Sequence, residues 1–258
     1  MGLLDGKVAI VTGAGGGHSM ADQVVKEIQA AGGQAVANYD SVATVEGGEG
    51  ICKSAIDAFG KVDILVNNAG ILRDKTLVNT DEASWDIVIQ VHLKGTYCVT
   101  RPVFTHMKNR GQGGVIVNTS STSGLIGNFG QSNYGAAKAG IAGFTRCLAL
   151  EGKKYNIRVW GLAPVAVTRL TEDLPGMGAD AVKQALAPEK VSPAVLYMVS
   201  DLSKDKTGKF LFVSGSKVTE LKVVGAEGFK NPNGVTAQDI AANENKVFLP
   251  ESQFNLMG

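Results

Sequence analysis

Short apolar runs alternate with helical patterns along most of this chain, and this alternation restricts its fold more than any other feature. Each apolar run ends in glycine or polar residues, as expected of strands buried on both faces of a parallel sheet. The segments between them space their apolar residues three and four apart, which is typical of amphipathic helices. The pattern predicts strands at residues 8–11, 34–39, 62–66, 115–118, 157–160 and 210–213, and helices at 22–31, 44–59, 83–108, 134–150, 179–186 and 193–202.

Strands that alternate with helices imply βαβ units. The predicted fold class is therefore α/β, with a doubly wound parallel sheet in a three-layer αβα arrangement of the Rossmann type. The chain has 258 residues, no linker-like break and no internal repeat, so we expect one domain over residues 1–258. The tail after about residue 225 mixes Gly, Asn and Pro and has little helical signal.

Composition argues against several classes of partner. The net charge of +1 predicts no strong attraction to nucleic acid or to an anionic membrane surface. Three widely spaced cysteines form no CxxC pair, so no metal site and no disulfide framework are predicted. We see no secretory signal, no apolar run of membrane-spanning length and no C-terminal peroxisomal tripeptide. The expectation is a protein of the cytoplasm or the peroxisomal matrix.

A glycine-rich turn follows the first predicted strand. It runs from Gly13 to Gly17 and opens onto a helix. Backbone N–H groups at such a turn can bind a pyrophosphate, and glycine lets the ligand approach the main chain. By itself the turn also fits an ordinary strand–helix connection.

Tyr134 and Lys138 lie four residues apart on a predicted helix, so they share one face. A phenol has a pKa near 10, and a neighbouring ammonium group lowers that pKa, which suits a general acid–base. Ser121 follows the strand at residues 115–118, at the carboxyl edge of the sheet where ligands of α/β proteins bind. Its hydroxyl can donate to a substrate carbonyl. An exposed helix pair and a turn serine are the plain alternatives.

Together these motifs resemble the short-chain dehydrogenase/reductase superfamily. They are the turn at residues 12–17, Asn67-Asn68-Ala69-Gly70, Ser121 and Tyr134-Gly135-Ala136-Ala137-Lys138. The resemblance implies NAD(P)-dependent hydride transfer, with Tyr134 as acid–base, Lys138 on the nicotinamide ribose and Ser121 on the reacting oxygen. It also implies a cofactor cleft lined by Gly13, Gly17, Asn67, Ala69, Gly70, Pro164 and Thr168.

A closer resemblance is to the (3R)-hydroxyacyl-CoA dehydrogenase unit of peroxisomal multifunctional enzymes of type 2 and its bacterial relatives. It is carried by residues 67–74 (NNAGILRD), 91–93 (VHL), 127–138 (GNFGQSNYGAAK) and 37–42 (ANYDSV). It implies NAD-linked interconversion of a (3R)-hydroxyacyl-CoA and a 3-ketoacyl-CoA in fatty acid metabolism, with NADP left open. His92 matches a histidine that stands where most of the superfamily has a catalytic Asn. A helix histidine bonded to backbone is its plain alternative.

The chain departs from the family after the glycine turn. Residues 17–20 join almost directly to what resembles the family's next helix, so about one βα unit, on the order of 30 residues, is missing. Either the sheet lacks a strand on this side, with Asp40 and Val42 flanking the adenine, or the strand at residues 34–39 fills the vacant position. In the second case Asp40 would bind the adenosine ribose.

Three functions are therefore considered. The first is a hydroxyacyl-CoA oxidoreductase that acts on a small acyl-CoA substrate. The second is a reductase of another carbonyl, such as a 3-oxoacyl-carrier-protein or a steroid, since fold does not fix the substrate. The third is a catalytically silent member with a damaged cofactor site. The resemblance also implies a homodimer or larger homo-oligomer formed through the helices at residues 83–108 and 134–150.

Overall fold

The computed structural model of the chain describes residues 2–14, 18–168, 171 and 178–250. Within these residues lies a six-stranded sheet, in which strands consecutive along the chain also lie side by side. The first five strands are parallel, which confirms the predicted α/β class. The strands are β1 (Ala9–Val11), β2 (Ile64–Asn67), β3 (Gly114–Thr119), β4 (Ile157–Val165), β5 (Phe210–Ser214) and β6 (Lys217–Leu221).

Helices cover both faces of the sheet, as a doubly wound fold requires. They are α1 (His18–Ala30), α2 (Val45–Phe59), α3 (Glu82–Ile89), α4 (Gly95–Arg110), α5 (Thr122–Leu125), α6 (Ser132–Gly152), α7 (Asp180–Ala185) and α8 (Ser192–Val199). Leu65, Ile116 and Val159 stand side by side on β2, β3 and β4, and they belong to a core cluster with residues of α2, α4 and α6. On the opposite face Trp160 packs in a second cluster with Met198 of α8.

The prediction of a strand at residues 34–39 is wrong. These residues form no strand, and among the described residues nothing pairs with the outer edge of β1. The amide of Asn38 donates instead to Oγ of Ser54 on α2, at 2.8 Å. The segment therefore lies along α2, and the sheet is short on this side.

The edge strand β1 is covered on one face only. Ile10 points into the core and is 7% exposed, whereas Val11 on the other face is 61% exposed. Among the described residues, no strand lies at the outer edge of β1 with which residues 34–39 could share an apolar face. The arrangement with a missing edge-side strand is thus the one adopted, and the alternative in which residues 34–39 fill its place is wrong.

The stretch predicted as one helix over residues 83–108 contains a wider turn. A π-helical turn, Gln90–Lys94, separates α3 from α4. Such turns occur mostly as single insertions within α-helices and often at functional sites. Its central residue is His92, which the family resemblance had already singled out.

Contacts divide the chain into a unit of residues 1–220 and a second unit of residues 221–258. The second contains two short helices that the sequence did not predict, α9 (Ala237–Ala242) and α10 (Glu244–Val247). A reciprocal pair of hydrogen bonds between Thr236 and Asp239 caps α9. The single domain over residues 1–258 stays a prediction. In the described part of the chain, no helix combines the length and the apolar character needed to cross a membrane.

Candidate active site

The predicted site residues follow the carboxyl ends of neighbouring parallel strands. Gly13 comes after β1, Asn67 ends β2, Ser121 comes after β3 and Pro164 lies near the end of β4. Because these strands are parallel and in order, their carboxyl ends share one edge of the sheet. Sequence positions more than a hundred residues apart are therefore brought to one side of the molecule.

The turn after β1 is hydrogen-bonded to the turn after β2. Oγ1 of Thr12 accepts hydrogen bonds from the backbone N–H groups of Asn68, at 3.0 Å, and Ala69, at 3.1 Å. Gly13 has φ +90°, and a Cβ there would lie 2.7 Å from Cα of Ala69. Glycine is therefore required at residue 13 by the close approach of the two turns, whatever binds above them. Gly17 lies outside the described residues.

Lys138 is buried with its amine inside the site. The residue is 3% exposed, and Nζ donates to the carbonyl oxygen of Thr119 at 2.6 Å. Burial lowers the pKa of Lys138 to about 7. An amine at this pKa is partly neutral at physiological pH, so its charge acts on its neighbours less than that of an exposed lysine.

Tyr134 lies one helical turn before Lys138, and its ring contacts two of the predicted site residues. The Lys138 Nζ is 5.4 Å from the ring centroid, and the His92 ring meets it edge-on with centroids 5.1 Å apart. Burial raises the pKa of Tyr134, hydrogen bonding with Ser121 lowers it and the negative charge of Asp74 raises it, with a net rise. The raised pKa is opposite in direction to the lowering that the sequence predicted from Lys138, because burial is the largest cause of the shift.

His92 is both buried and bonded to backbone. It is 2% exposed, and its Nε2 lies 2.7 Å from the carbonyl oxygen and 3.0 Å from the nitrogen of Ile71. Burial lowers the pKa of His92 to about 4, so the ring is neutral. We assign the proton to Nε2, facing the nearer carbonyl oxygen, which leaves Nδ1 buried without a partner. His92 is therefore hydrogen-bonded to the backbone through Nε2, as the plain alternative predicted, and its ring also contacts the ring of Tyr134.

The side chain of Asn67 is used inside the fold. It is 5% exposed, and Nδ2 donates to Oγ1 of Thr100 at 2.8 Å and to Oδ1 of Asn118 at 2.9 Å. The Asn118 amide in turn donates to Thr145 of α6. This network ties β2, β3, α4 and α6 together, so Asn67 can contribute to a ligand site only with its main chain. The sequence reasoning missed this network, although a polar residue at the end of each buried strand was a usable signal.

The remaining predicted cofactor residues are spread along the same edge. Ala69 and Gly70 belong to the turn after β2, which is hydrogen-bonded to Thr12, and a Cβ at Gly70 would collide with the His92 ring. Pro164 stands opposite Val213 of β5, and the main-chain N–H of Thr168 donates to Thr171.

Asp40 and Val42 lie before α2. Asp40 is exposed and hydrogen-bonds with Asn38, and the side chain of Val42 packs against the core. With no strand at residues 34–39, Asp40 is not carried to the edge of β1, so the arrangement in which it would bind the ribose is not formed. That Asp40 and Val42 flank an adenine stays a prediction.

The site fits the nicotinamide end of a dinucleotide better than the adenosine end. The bond to Thr119 uses one N–H of Lys138, which leaves one further N–H on the neutral amine and two on the ammonium for ribose hydroxyl groups. At the adenosine end, no strand among the described residues pairs with the outer edge of β1. No group of three or more His, Cys, Asp or Glu that could hold a metal ion occurs in the described ranges.

Comparison with known proteins agrees with this fold. Residues 9–175 match the short chain dehydrogenase family. The chain is 48% identical over 231 residues to a Mycobacterium tuberculosis protein named as a short-chain type dehydrogenase/reductase, covering 89% of this chain and 79% of that one. It is 44% identical over 237 residues to the mouse peroxisomal multifunctional enzyme type 2, covering 91% of this chain but only 31% of that enzyme.

A solved structure supports the same assignment. The crystal structure of a short chain dehydrogenase from Mycobacterium avium superimposes with a TM-score of 0.86 at 35% identity, covering 97% of this chain and 98% of that one. The chain therefore belongs to the short-chain dehydrogenase family of oxidoreductases, which use a nicotinamide nucleotide as cofactor.

Proposed function

We propose that this protein interconverts (3R)-hydroxyacyl-CoA and 3-ketoacyl-CoA with NAD as the cofactor. The observation that carries the proposal is the grouping of Ser121, Tyr134 and Lys138 at one sheet edge, with His92 against the Tyr134 ring. The similarity to the mouse peroxisomal enzyme supports the choice of a hydroxyacyl substrate. We place the reaction in the cytoplasm or the peroxisomal matrix.

In the reducing direction Tyr134 donates its proton to the carbonyl oxygen at C3 of the substrate. Its raised pKa keeps that proton in place at neutral pH, so the residue is ready as a general acid. Ser121 donates a hydrogen bond to the same oxygen and stabilises the charge that develops there. A reduced nicotinamide cofactor, held by Lys138, would supply the hydride for C3. In the oxidising direction Tyr134 takes the proton from the hydroxyl group.

Lys138 and His92 support this proton transfer in different ways. Lys138 binds the nicotinamide ribose with its buried amine, which orients the cofactor toward Tyr134. His92 is neutral and holds the Tyr134 ring in place by its edge-on contact. We propose NAD as the cofactor because the resemblance to (3R)-hydroxyacyl-CoA dehydrogenases implies an NAD-linked reaction.

A silent protein with an incomplete cofactor site is the second candidate. The observation in its favour is that β1 has no partner on its outer edge among the described residues. The intact grouping of Ser121, Tyr134 and Lys138 argues for chemistry. The two candidates differ in whether the protein turns over a substrate at all.

The direct test is turnover of a (3R)-hydroxyacyl-CoA with NAD, measured by the appearance of NADH. The (3S) epimer, NADP and a 3-oxoacyl-carrier-protein serve as competing substrates or cofactors. We expect activity with the (3R) epimer that Tyr134→Phe lowers about 10²- to 10⁴-fold. Tyr155→Phe is the matched control, because Tyr155 follows α6 and packs on Phe104 at the opposite end of β4. No turnover in a folded protein would favour the silent candidate.

We further propose that the protein is a homo-oligomer that associates through α4 and α6. Ala136, Ala139 and Gly143 lie exposed on α6, and a Cβ at Gly143 would meet nothing within 4 Å. Small exposed residues allow two helices to approach closely. Sedimentation of the purified protein tests this, and Gly143→Arg should shift it toward the monomer.

A further inference from the structure

Hydrogen bonds at the two ends of β1 show which of its main-chain groups face β2. The N–H of Ile64 donates to the carbonyl oxygen of Val8, and the N–H of Thr12 donates to that of Val66, both at 3.0 Å. The main-chain groups of successive residues in a strand point to alternate sides of it. Residues 8, 10 and 12 therefore bond to β2, and the two residues between them point the other way.

These two residues are Ala9 and Val11, and they leave the outer edge of β1 open. No described residue forms a hydrogen bond with their N–H and C=O groups on that side. Their side chains lie on one face of the strand and are both exposed, and Val11 is 61% exposed. An open edge of this kind is a template on which another strand can pair.

The opposite edge of the sheet is protected in a way that β1 is not. The strand at that edge is β6, which carries the charged residues Lys217 and Glu220. Charged side chains on an edge strand discourage its pairing with other chains. The sequence of β1 is Ala9-Ile10-Val11, which contains neither a charged residue nor a proline. The difference favours a role in pairing for the edge of β1.

The outward groups of β1 complement themselves when two copies meet across a two-fold axis at Ile10. In this antiparallel arrangement Ala9 of each copy lies opposite Val11 of the other, and each residue of the pair donates its N–H to the carbonyl oxygen of its partner. Every outward N–H and C=O of both strands is then paired. We propose that two copies of this chain associate in this way, through antiparallel pairing of their β1 strands.

The side chains fit the same arrangement. Residues of a hydrogen-bonded antiparallel pair have Cα atoms about 5.5 Å apart and side chains on the same face. Val11 of one copy therefore covers Ala9 of the other, and this removes the exposed apolar face from water. Each copy has one β1 edge, so the pairing closes with two copies and does not continue into a fibre.

The contact is small, so the association depends on protein concentration. A strand of three residues buries far less than the roughly 1,200 Å² that stable interfaces bury. The helix α1, which follows β1 in the chain, offers further apolar surface. None of its residues 19–30 is buried, and Val24 and Ile28 are each 40% exposed. The contact involves neither α4 nor α6 and is separate from the association proposed for those helices.

The test places charges on the two side chains that the two-fold axis brings together. Ala9→Lys/Val11→Glu puts opposite charges across each pair, whereas Ala9→Lys/Val11→Lys puts like charges there. The dissociation constant is measured by sedimentation equilibrium over a series of protein concentrations up to about 1 mM. We expect it to stay within about threefold of the wild-type value in the first variant and to rise at least about tenfold in the second.

Leu202→Lys is the matched control for these variants. Leu202 is also 61% exposed and lies outside the strands, so the substitution should leave the dissociation constant unchanged. A loss of association with like charges and not with opposite charges supports the proposal. Equal association or equal loss in both variants, with thermal unfolding showing that they are folded, overturns it. A Gly143→Arg protein that stays monomeric over the whole series also overturns it, because the β1 contact does not involve α6.

Amide hydrogen exchange in the wild-type protein, followed by NMR, locates the contact. The N–H of Ile10 faces β2 within one copy, so its exchange should be slow at every concentration. The N–H groups of Ala9 and Val11 pair only across the two-fold axis, so their exchange should slow at least about tenfold between dilute and concentrated protein. Exchange of Ala9 and Val11 that is fast at every concentration overturns the proposal. Exchange that is slow even in the dilute monomer would mean that another segment of the same chain covers the edge, and overturns it as well.

Discussion

The carboxyl edge of the sheet is built differently at β1 and at β2 to β4. Around β2 to β4 the strands are paired on both sides, their apolar side chains are buried, and Tyr134 and Lys138 lie against buried partners. At β1 the outer edge has no partner among the described residues, and Val11 is 61% exposed. The groups proposed for proton transfer and nicotinamide binding therefore lie around β2 to β4, which we call the complete half of the edge.

The largest effect is expected for Lys138→Met. Removing the amine should lower turnover at least about a hundredfold, because the proposed nicotinamide anchor is lost. The free energy of unfolding should rise by about 1–4 kcal/mol near neutral pH, because the lowered pKa of Lys138 means that its charged form is unfavourable in the fold. Steady-state kinetics and urea unfolding measure the two quantities.

Lys53→Met is the control for this experiment, since Lys53 is exposed on α2 and its ion pair with Asp57 is worth little. A Lys138→Met protein with unchanged turnover would contradict the role given to the complete half.

The contrast in burial predicts unequal effects on stability. Ile116→Ala on β3 removes a fully buried side chain and should cost about 2–5 kcal/mol of unfolding free energy. Val11→Ala on the open face of β1 should cost less than about 0.5 kcal/mol. Denaturant unfolding of both variants checks the comparison. A large loss for Val11→Ala would mean that this face is covered in solution, for instance by a second copy of the chain.

The stability of the complete half should depend on pH through His92. The unfolded chain binds a proton to this histidine near its ordinary pKa of 6.5, whereas the folded chain does so only near 4. Stability is therefore lost as the pH falls from 6.5 to about 4, by up to about 3 kcal/mol. Urea unfolding at a series of pH values should show this loss, and His92→Gln should reduce the slope. An equal slope in the variant would show that other groups cause it.

The smallest effect is expected for Asp40→Asn. Asp40 is exposed, hydrogen-bonds with Asn38 and does not lie at the end of a strand on the outer edge of β1. The substitution should therefore weaken NADH binding by less than about threefold, or about 0.7 kcal/mol. Titration by nicotinamide fluorescence measures this change. A tenfold loss of affinity would restore Asp40 as the ribose-binding residue.

The strands of the complete half could be predicted from the sequence because burial on both faces makes their residues apolar. Runs such as residues 62–66 and 115–118 are apolar because both faces of the strand are covered, and β2 and β3 appear where they were expected. Residues 34–39 have the same local pattern, yet no layer exists there for them to join. Pairing depends on the neighbouring strand, which local periodicity does not contain.

For the candidate site, spacing and resemblance predicted which residues meet but not their electrostatics. The spacing of four residues, about one turn of α6, brought Tyr134 next to Lys138, and the strand order brought in Ser121. The direction of the Tyr134 pKa was predicted wrongly, because burial depends on the packing of distant segments around the ring. The hydrogen bond from Gln131 to Asp74 was missed for the same reason, since 57 positions separate the two residues.

The most direct test of the central claim compares NADH with reduced nicotinamide mononucleotide, which lacks the adenosine half. Both are titrated into the purified protein, with fluorescence or calorimetry as the readout. If the complete half does the binding, both ligands should bind below millimolar concentration, with dissociation constants within about tenfold of each other. NADH binding more than about a hundredfold tighter would show that an adenosine site exists after all, and no binding of either ligand would contradict the claim that this half functions.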